Sequence, residues 1–513
     1  MPSHLLRSSR TPLHFMRGFC AFFTLGLMSM AASARGPQTQ IPLPKPVPPP
    51  PPLVLAGGTI IDVSDWGRSA NDLRDAVVYI RDGRITAVGP RAALPIPKGS
   101  KVIDCSGKYL IPGFVDGFAG LADQAQAKAH LYMGVTTIVS NRTPLDMHAN
   151  PTPHIYLLDS VGTTDSQSLL FHRPEWTRKL TDAKDPKNPN PRSVELTPED
   201  TARQLADTVK LGTKVLWLGH NLTAANTQWI IEHAHQQGLV TYGEFVATAY
   251  QVGVQAGVDI LLHMGRYELG VIPDELQQPL VEDPEGSASR TAYGYAERLP
   301  PGDYRLHDYA RFLATHRTAL MPTFSQFYLR LPDHRNLWKE PAAELIDPKT
   351  LGDPTDASSI SDPKSGEALY PISLWMRKLP NSTIRWMQES ARRKADQQAD
   401  RLWAINQSIF EAYPHYLAAT GATANGTLPG ISMHTELEML VRLGLSPREA
   451  IAAATNNYAE QFHWNELGQI TPGRRADILV LDADPTTNIW NARRINTLLV
   501  DGNQIDREGL LKK

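Results

Sequence analysis

Cysteine is nearly absent from this sequence, since Cys20 and Cys105 are its two cysteines in 513 residues. If the first 34 residues are removed, as argued below, Cys105 remains alone and an intramolecular disulfide is excluded. An excess of charge of one sign is also lacking. The formal net charge is −2, so no electrostatic argument points to nucleic acid or to an anionic membrane. The hydrophobic content of 42% nevertheless indicates a globular chain.

The first 34 residues predict a signal peptide. Three arginines within the first 17 residues precede an apolar run over 18–32, and Ala32-Ser33-Ala34 fits a signal-peptidase site. The run is shorter than the ~20 apolar residues that a spanning helix needs, although an uncleaved membrane anchor is the alternative. We therefore expect an exported protein, periplasmic or secreted, with no stable membrane span after cleavage. Residues 35–52 are rich in proline, which predicts an extended linker.

Short strand patterns follow the linker and return near the end of the chain. Apolar runs over 53–111 are interrupted by the turn signal Asp82-Gly83, and those over 478–500 end at Asp501-Gly502. Neither stretch has the 3.6-residue period of a helix. We predict that residues 53–111 and 466–508 form one composite β-sandwich.

Residues 112–465 have a different sequence pattern, in which predicted short apolar strands alternate with predicted amphipathic helices. Such alternation favours a parallel sheet, and this many repeats favour an α/β fold with a closed (β/α)8 TIM-like barrel. An open doubly wound sheet is the alternative, but no glycine-rich dinucleotide motif follows the first strand. The predicted architecture is a barrel inserted into the β-sandwich.

Several ordered motifs resemble those of the amidohydrolase superfamily, in its imidazolonepropionase-like and prolidase-like branch. They extend from about Leu53 to Asp506. They are Asp82-Gly83-Arg84-Ile85, Leu110-Ile111-Pro112-Gly113-Phe114-Val115-Asp116, Gly134-Val135-Thr136-Thr137, Ala256-Gly257-Val258-Asp259, Pro429-Gly430 with His434 and Glu436, Gly444-Leu445-Ser446-Pro447 and Gly468-Gln469-Ile470-Thr471-Pro472-Gly473. The resemblance implies a hydrolase that acts on non-peptide carbon–nitrogen bonds with a divalent metal at the carboxyl ends of the barrel strands.

The same resemblance implies metal ligands at six positions, and five of them carry residues that cannot bind a metal. The family places a His-x-His on strand one, a bridging lysine or glutamate on strand four, histidines on strands five and six, and an aspartate on strand eight. The five degenerate positions are Phe118, Gly120, Trp217, Gly243 and Gly421. His263 on strand six is the ligand that remains. Because most ligands are replaced, we predict a degenerate metal site and no cofactor.

A reduced site is the alternative. His220, Glu244 and His263 follow strands four, five and six and could meet at the barrel mouth, where three such ligands could hold one zinc or manganese ion. Glu244 would then be a ligand or a general base. The other interpretation is a set of hydrogen-bonded polar residues in a pocket. The motif His233-Ala234-His235 is not a metal site, because residues two apart on a helix point ~200° away from each other.

Two functions follow from these patterns. The first is a non-catalytic barrel, a pseudoenzyme of the cell envelope that binds a small molecule or a protein partner. The second is a metal-dependent hydrolase with a mononuclear site, acting on cyclic amides or dipeptide-like substrates. Residues 324–381 form a long insertion that could cover the barrel mouth.

Overall fold

The computed structural model describes residues 51–140, 151–163, 196–219, 222–282, 289–348, 351, 360–361, 364, 368–369 and 379–512. The predicted signal peptide, nearly all of the predicted linker and His220 lie outside the described residues. No helix within the described ranges is long and apolar enough to cross a membrane.

The described residues form seventeen strands and thirteen α-helices besides short 3₁₀ turns. The strands are β1 Leu53–Ile60, β2 Leu73–Arg81, β3 Arg84–Pro90, β4 Lys101–Asp104, β5 Tyr109–Pro112, β6 Phe114–Asp116, β7 Val135–Ser140, β8 His154–Asp159, β9 Val215–Leu218, β10 Val240–Gly243, β11 Ile260–Leu262, β12 Ala319–Met321, β13 Ile360–Ser361, β14 Ala368–Leu369, β15 Ile478–Leu481, β16 Ile495–Val500 and β17 Asn503–Ile505. The helices are α1 Gln124–Tyr132, α2 Pro198–Lys210, α3 Ala224–Gln236, α4 Tyr250–Gln255, α5 Met264–Tyr267, α6 Asp274–Glu282, α7 Ser289–Tyr293, α8 Tyr304–His316, α9 Asn381–Ala412, α10 Ile431–Leu443, α11 Pro447–Ala453, α12 Asn456–Phe462 and α13 Arg507–Leu510.

Strands from both ends of the chain share one sheet. Its order is β17-β16-β15-β5-β1-β2-β3, and β4 pairs with β1 outside this path. The two parts meet where β15 pairs antiparallel with β5. The predicted turn at Asp82-Gly83 is confirmed, because both residues have positive φ and β2 pairs antiparallel with β3. The composite β module is thus a single hydrogen-bonded network of eight strands.

The middle of the chain forms a mixed α/β fold around a parallel sheet. Its seven strands, β6 to β12, are hydrogen-bonded in sequence order, and every neighbouring pair is parallel. Beyond them, Tyr416 forms a parallel bridge with Leu320 of β12, and Ala422 forms one with Ala119 after β6. One segment of the chain therefore contacts the strands at both ends of the sheet.

Side chains on the two faces of this sheet form separate apolar clusters. Val139, Trp217, Tyr242, Leu262 and Met321 belong to the cluster on one face, and all are buried. The helices pack against the other face with a larger cluster. Because successive strand residues point to opposite faces, the near-continuous apolar strands of the sequence are what a sheet buried on both faces requires.

The predicted insertion at 324–381 contains irregular structure in its described part. Three 3₁₀ turns lie at Phe324–Arg330, Leu337–Lys339 and Pro341–Leu345, and β13 pairs antiparallel with β14. The first turn comes directly after β12, so its residues stand beside the carboxyl ends of the parallel strands.

Candidate functional site

Three neighbouring strands of the parallel sheet end in polar residues. Glu244 follows β10, His263 follows β11 and Thr323 follows β12 by two residues. The carboxyl ends of parallel strands lie at one edge, which is where α/β folds usually bind ligands. All three residues line a cleft of about 450 Å³. Of the three residues that the sequence suggested could meet at the barrel mouth, Glu244 and His263 line this cleft, and His220 lies outside the described residues.

Glu244 is held by contacts to both of its carboxylate oxygens. The indole Nε1 of Trp217 donates a 3.1 Å hydrogen bond to Oε2, and Nε of Arg266 lies 3.5 Å from Oε1. Glu244 and Trp217 are both buried, at 5% and 4% exposure. The indole of Trp217 therefore lies against the buried carboxylate of Glu244.

His263 is fixed by a hydrogen bond and a ring contact. Its Nδ1 lies 2.8 Å from Oγ1 of Thr323, and its ring meets Phe118 edge-on at a centroid distance of 5.3 Å. The backbone of His263 has a φ of 62°, and that of Thr323 has a φ of 54°. Such left-handed conformations are uncommon outside glycine and tend to cluster at ligand sites.

Glu268 is a buried carboxyl in the wall of the same cleft, in a 3₁₀ turn over Glu268–Val271. It is 3% exposed, and its Oε2 has no hydrogen-bond partner among the described residues. Burial raises the pKa of Glu268 well above its ordinary value, and the nearby Glu297 raises it further, whereas Arg266 opposes the shift. A buried oxygen without a donor costs ~1–3 kcal/mol, which makes this carboxyl an unusual feature of the wall.

A second buried network links β6 to the segment after β12. Asp116 accepts hydrogen bonds from the backbone N and Oγ1 of Thr420, at 2.9 and 2.7 Å. Oγ of Ser325 donates to the carbonyl of Thr420 at 2.8 Å, and the backbone N of Ser325 donates to Oε2 of Glu436 at 2.6 Å. Desolvation raises the pKa of Asp116 to about 7 and that of Glu436 to about 8. These contacts tie three parts of the chain together beside the cleft.

The positions that the sequence predicts to be degenerate lie at the same edge of the sheet. The backbone N of Gly421 donates to the carbonyl of Phe118 at 2.8 Å, and that of Gly120 donates to the carbonyl of Ala422. A Cβ at Gly421 would overlap the amide of Gln326, and one at Gly243 would lie 2.7 Å from the ring of Phe245. The structure therefore brings Phe118, Gly120 and Gly421 into one neighbourhood.

Glu244 and His263, the candidate metal ligands that the structure describes at the cleft, each have partners within the protein. Glu244 is engaged by Trp217 and Arg266, and His263 by Thr323. Within the described ranges, one group of three side chains has metal-ligand atoms within 4.8 Å of one another, and that group does not include Glu244 or His263. A metal centre at this cleft would therefore need a donor from outside the described residues, where His220 lies.

The one convergent group lies elsewhere and consists of His154, Asp477 and Asp501. His154 begins β8, at the edge opposite the cleft. Asp477 already pairs with Nε of Arg475 at 3.0 Å and accepts the backbone N of Asp501 at 2.8 Å. These contacts join the β module to the parallel sheet and account for the group without a metal.

The two histidines of His233-Ala234-His235 have different partners. Nδ1 of His233 lies 2.8 Å from the carbonyl of Trp229, whereas Nε2 of His235 lies 3.0 Å from Oδ2 of Asp259. They do not converge on a common point.

Sequence reasoning assigned no role to Asp116, Arg266, Glu268 or Ser325. Asp116 and Glu436 were visible only as members of recurring motifs. The signal that could have found Arg266 and Glu268 is the run of charged and aromatic residues directly after His263, since loops that follow parallel strands usually carry binding residues.

Comparisons with known proteins indicate the amidohydrolase family. The model of the amidohydrolase family matches residues 372–505. The chain is 26% identical over 138 residues to a 5-methylthioadenosine/S-adenosylhomocysteine deaminase of Symbiobacterium thermophilum, covering 25% of this chain and 31% of that protein. It is 44% identical over 48 residues to an imidazolonepropionase of Rhizobium rhizogenes, covering 9% of this chain and 12% of that protein. The matches thus span about a third or less of these relatives.

The fold as a whole is similar to solved structures. A Xaa-Pro dipeptidase with bound methionine in its active site has a TM-score of 0.55 at 14% identity, covering 88% of this chain and 99% of that chain. At this identity the likeness establishes the fold and leaves the chemistry to the residues at the cleft.

Proposed function

The chain belongs to the amidohydrolase superfamily, and from that premise we propose that it binds a small molecule at the cleft without metal-dependent hydrolysis. One observation carries this proposal: an aromatic ring lies against Glu244 and another against His263, the two candidate ligands from the sequence that the structure describes there. Trp217 is hydrogen-bonded to Glu244, and Phe118 packs edge-on against His263. Both rings stand at positions where the superfamily resemblance implies metal ligands.

The chemistry of the superfamily depends on a metal that lowers the pKa of bound water to about 7. Catalytic zinc sites hold the ion with three protein ligands and leave one position open. Phenyl and indole rings and glycine offer no lone pairs for such an ion. We therefore propose that Glu244 and His263 position a bound molecule and take no part in hydrolysis.

The cleft suits the binding of a small molecule in size and composition. Its volume of about 450 Å³ falls within the usual range for ligand pockets, which is about 300–1,000 Å³. Phe327 and Tyr293 provide apolar wall, whereas Gln326 and Gln398 provide amide groups. A few well-placed polar groups in the wall of a pocket fix the orientation of a small ligand.

A hydrolase with a reduced site is the second candidate. It is favoured by the fold, which is similar to that of a Xaa-Pro dipeptidase, and by the position of Glu244 and His263 at the ligand-binding edge. Such an enzyme would need His220 as a further ligand for zinc or manganese, with Glu244 as ligand or general base, and its substrates would be cyclic amides or dipeptide-like molecules.

We also propose that residues 415–422 act as the eighth strand of a closed (β/α)8 barrel. The backbone N of Leu320 donates to the carbonyl of His415, and the backbone N of Leu417 donates to the carbonyl of Leu320. On the other side, the backbone N of Gly117 donates to the carbonyl of Ala418. These bonds support closure, since they join the segment to both end strands of the parallel sheet.

The proposed location is the periplasm or the exterior, on the strength of the predicted signal peptide at 1–34. In that setting the ligand would be an extracytoplasmic small molecule. A protein partner at the cleft remains an alternative occupant.

Removal of divalent metal tests the proposed function directly. We expect the melting temperature of the purified mature chain to be the same with and without a chelator, because ligand binding stabilises the folded state only where a ligand is bound. A tightly held ion at 1,000 times its Kd would contribute about 4 kcal/mol, which a melting experiment detects easily. Elemental analysis of the same sample is expected to find no zinc or manganese at unit stoichiometry.

The matched variant is His263→Ala. Zinc or manganese bound at one ion per chain in the unmodified protein, and lost in this variant, would overturn the proposal in favour of the hydrolase.

A further inference from the structure

The wall of the cleft carries more carboxyl groups than cationic ones. Glu244, Glu268 and Glu297 line it, and Arg266 is the cationic side chain that lines it among the described residues. The guanidinium of Arg266 is occupied, because its Nε lies 3.5 Å from Glu244 and its Cζ lies 5.7 Å from the centroid of the Tyr293 ring. Carboxyl groups thus outnumber cationic groups in the wall, which favours a cationic ligand over an anionic one.

The three carboxyl groups differ in whether the protein already satisfies them. Glu244 has contacts to Trp217 and Arg266, as described above. Oε1 of Glu297 accepts a 2.9 Å hydrogen bond from Nε2 of Gln398, and its Oε2 lies 3.9 Å from Arg401. Oε2 of Glu268 has no such partner within the described part of the chain, although Glu268 is only 3% exposed.

We propose that the cleft binds an organic cation, a small amine whose ammonium group pairs with the carboxyl group of Glu268. The inference rests on the proposed function and names the class of ligand. A hydrogen bond between two charged groups is worth roughly 1.5–3 kcal/mol. The ligand supplies the donor that the protein does not, and its apolar body lies along Phe327 and Tyr293.

The protonation state of Glu268 provides a signature of this contact. The groups that interact electrostatically with it are Arg266, Glu297 and the phenols of three tyrosines, Tyr250, Tyr267 and Tyr309. Burial raises the pKa of all three phenols well above the ordinary value, so they stay neutral at pH 7. The raised pKa favours the protonated form of Glu268 in the empty cleft, and an arriving ammonium group favours the ionised form, with the proton passing to solvent. Binding of an amine therefore releases a proton.

The test uses benzylamine with two probes of similar shape, benzyl alcohol and benzoate. Isothermal titration calorimetry of the mature full chain is expected to detect benzylamine binding, weaker binding of benzyl alcohol and no binding of benzoate. Titrations of benzylamine in phosphate and in Tris are expected to give different heats, since the released proton is taken up by buffers of different ionisation enthalpy. A merely apolar pocket would bind benzylamine and benzyl alcohol equally and would release no proton.

Glu268→Gln is the decisive variant, because it keeps the shape of the side chain and removes its charge. We expect its affinity for benzylamine to fall roughly 10–100-fold, with benzyl alcohol unaffected. Glu297→Gln is expected to lose less, since Glu297 has partners in the protein. The matched control is Glu438→Gln, a similarly buried carboxyl paired with Arg442 away from the cleft, which should bind benzylamine as the unmodified chain does.

Each outcome distinguishes this inference from the proposed function. If benzyl alcohol or benzoate binds at least as tightly as benzylamine, the cation is wrong while small-molecule binding stands. Should Glu268→Gln fail to fold, Glu297→Gln is compared with the unmodified chain. The inference is overturned if both bind benzylamine with equal affinity and the heats in the two buffers are equal. If none of the three probes binds, the inference also fails, and the metal analysis described above then decides separately between binding protein and hydrolase.

Discussion

Replacement of Gly430 with alanine is expected to lower the free energy of unfolding by about 2–5 kcal/mol. Gly430 has a φ of +69° directly before α10, and a Cβ there would lie 2.5 Å from the carbonyl oxygen of Ala129 and 2.7 Å from Cα of His130. The left-handed backbone costs roughly 1–2 kcal/mol for a residue with a Cβ. The overlap with backbone atoms of α1 adds a cost of about 1–3 kcal/mol, because neither helix can move aside without repacking.

Gly107 provides the matched control. Its φ is +71°, almost the same as that of Gly430, but a Cβ at this position meets nothing within 4 Å. Gly107→Ala is therefore expected to cost only the conformational part, about 1–2 kcal/mol. Differential scanning calorimetry of the two variants separates strain from steric overlap. Equal losses would mean that α10 tolerates a side chain against α1, contrary to the packing described here.

Stability is expected to fall as the pH rises from 6.5 to 8.5. Asp116 and Glu436 have folded pKa values raised to about 7 and about 8 by desolvation, so the folded chain holds protons that the unfolded chain has lost. Such a raised carboxyl pKa stabilises at low pH, and that contribution is lost as the pH rises through the folded pKa. Each carboxyl changes the free energy of unfolding by about 1.4 kcal/mol per pH unit while it remains protonated in the folded state. Glu268, whose pKa is also raised, acts in the same direction.

Two buried histidines set the acid side of the same profile. Desolvation lowers the pKa of His130 and of His434 to about 3, so both stay neutral in the folded chain. The unfolded chain binds protons at these residues below about pH 6.5, and stability is therefore lost as the pH falls. Below pH 6.5, a fall in pH lowers the free energy of unfolding through the histidines and raises it through the carboxyls. Above pH 6.5 the contribution of the histidines ends, and that of the carboxyls remains. We expect the alkaline decline to be the cleaner measurement.

Glu436→Gln tests the assignment. The amide oxygen of glutamine can still accept a hydrogen bond from the backbone N of Ser325, so the contact is kept, but the side chain no longer binds or releases a proton. Melting temperatures measured between pH 6.5 and 8.5 are expected to decline less steeply in this variant than in the unmodified chain. Glu438→Gln, on the same helix and paired with Arg442, should leave the slope as it was. A slope unaltered by Glu436→Gln would mean that Glu436 is ionised in the folded chain.

The parts of the fold that sequence predicts are those governed by short-range patterns. The turn at Asp82-Gly83 follows from local backbone preferences, and the parallel strands follow from apolar runs that alternate with helices. The positions of Glu244 and His263 follow from them, because residues after parallel strands meet at one edge. Each of these inferences needed only residues close together in the chain.

The rest of the site depends on contacts between distant residues. Asp116 and Thr420 are 304 positions apart, and Ser325 and Glu436 are 111 apart, so no local pattern connects them. The unsatisfied oxygen of Glu268 is a property of its surroundings rather than of its neighbours in sequence. In the same way, the edge-on contact of Phe118 with His263 joins residues 145 positions apart, which no local pattern connects.

The surroundings of Gly421 bear on how the chain could change in future. Its φ is +60°, and the amide of Gln326 lies where a side chain at this position would begin. Gln326 is itself anchored, because its Oε1 accepts a 3.0 Å hydrogen bond from Nδ2 of Asn425. An aspartate introduced at 421 would have to displace Gln326 and break that bond before its carboxylate had any ion to hold. A lone aspartate at this position is therefore expected to destabilise the chain, and only a linked replacement of Gln326 would make it tolerable.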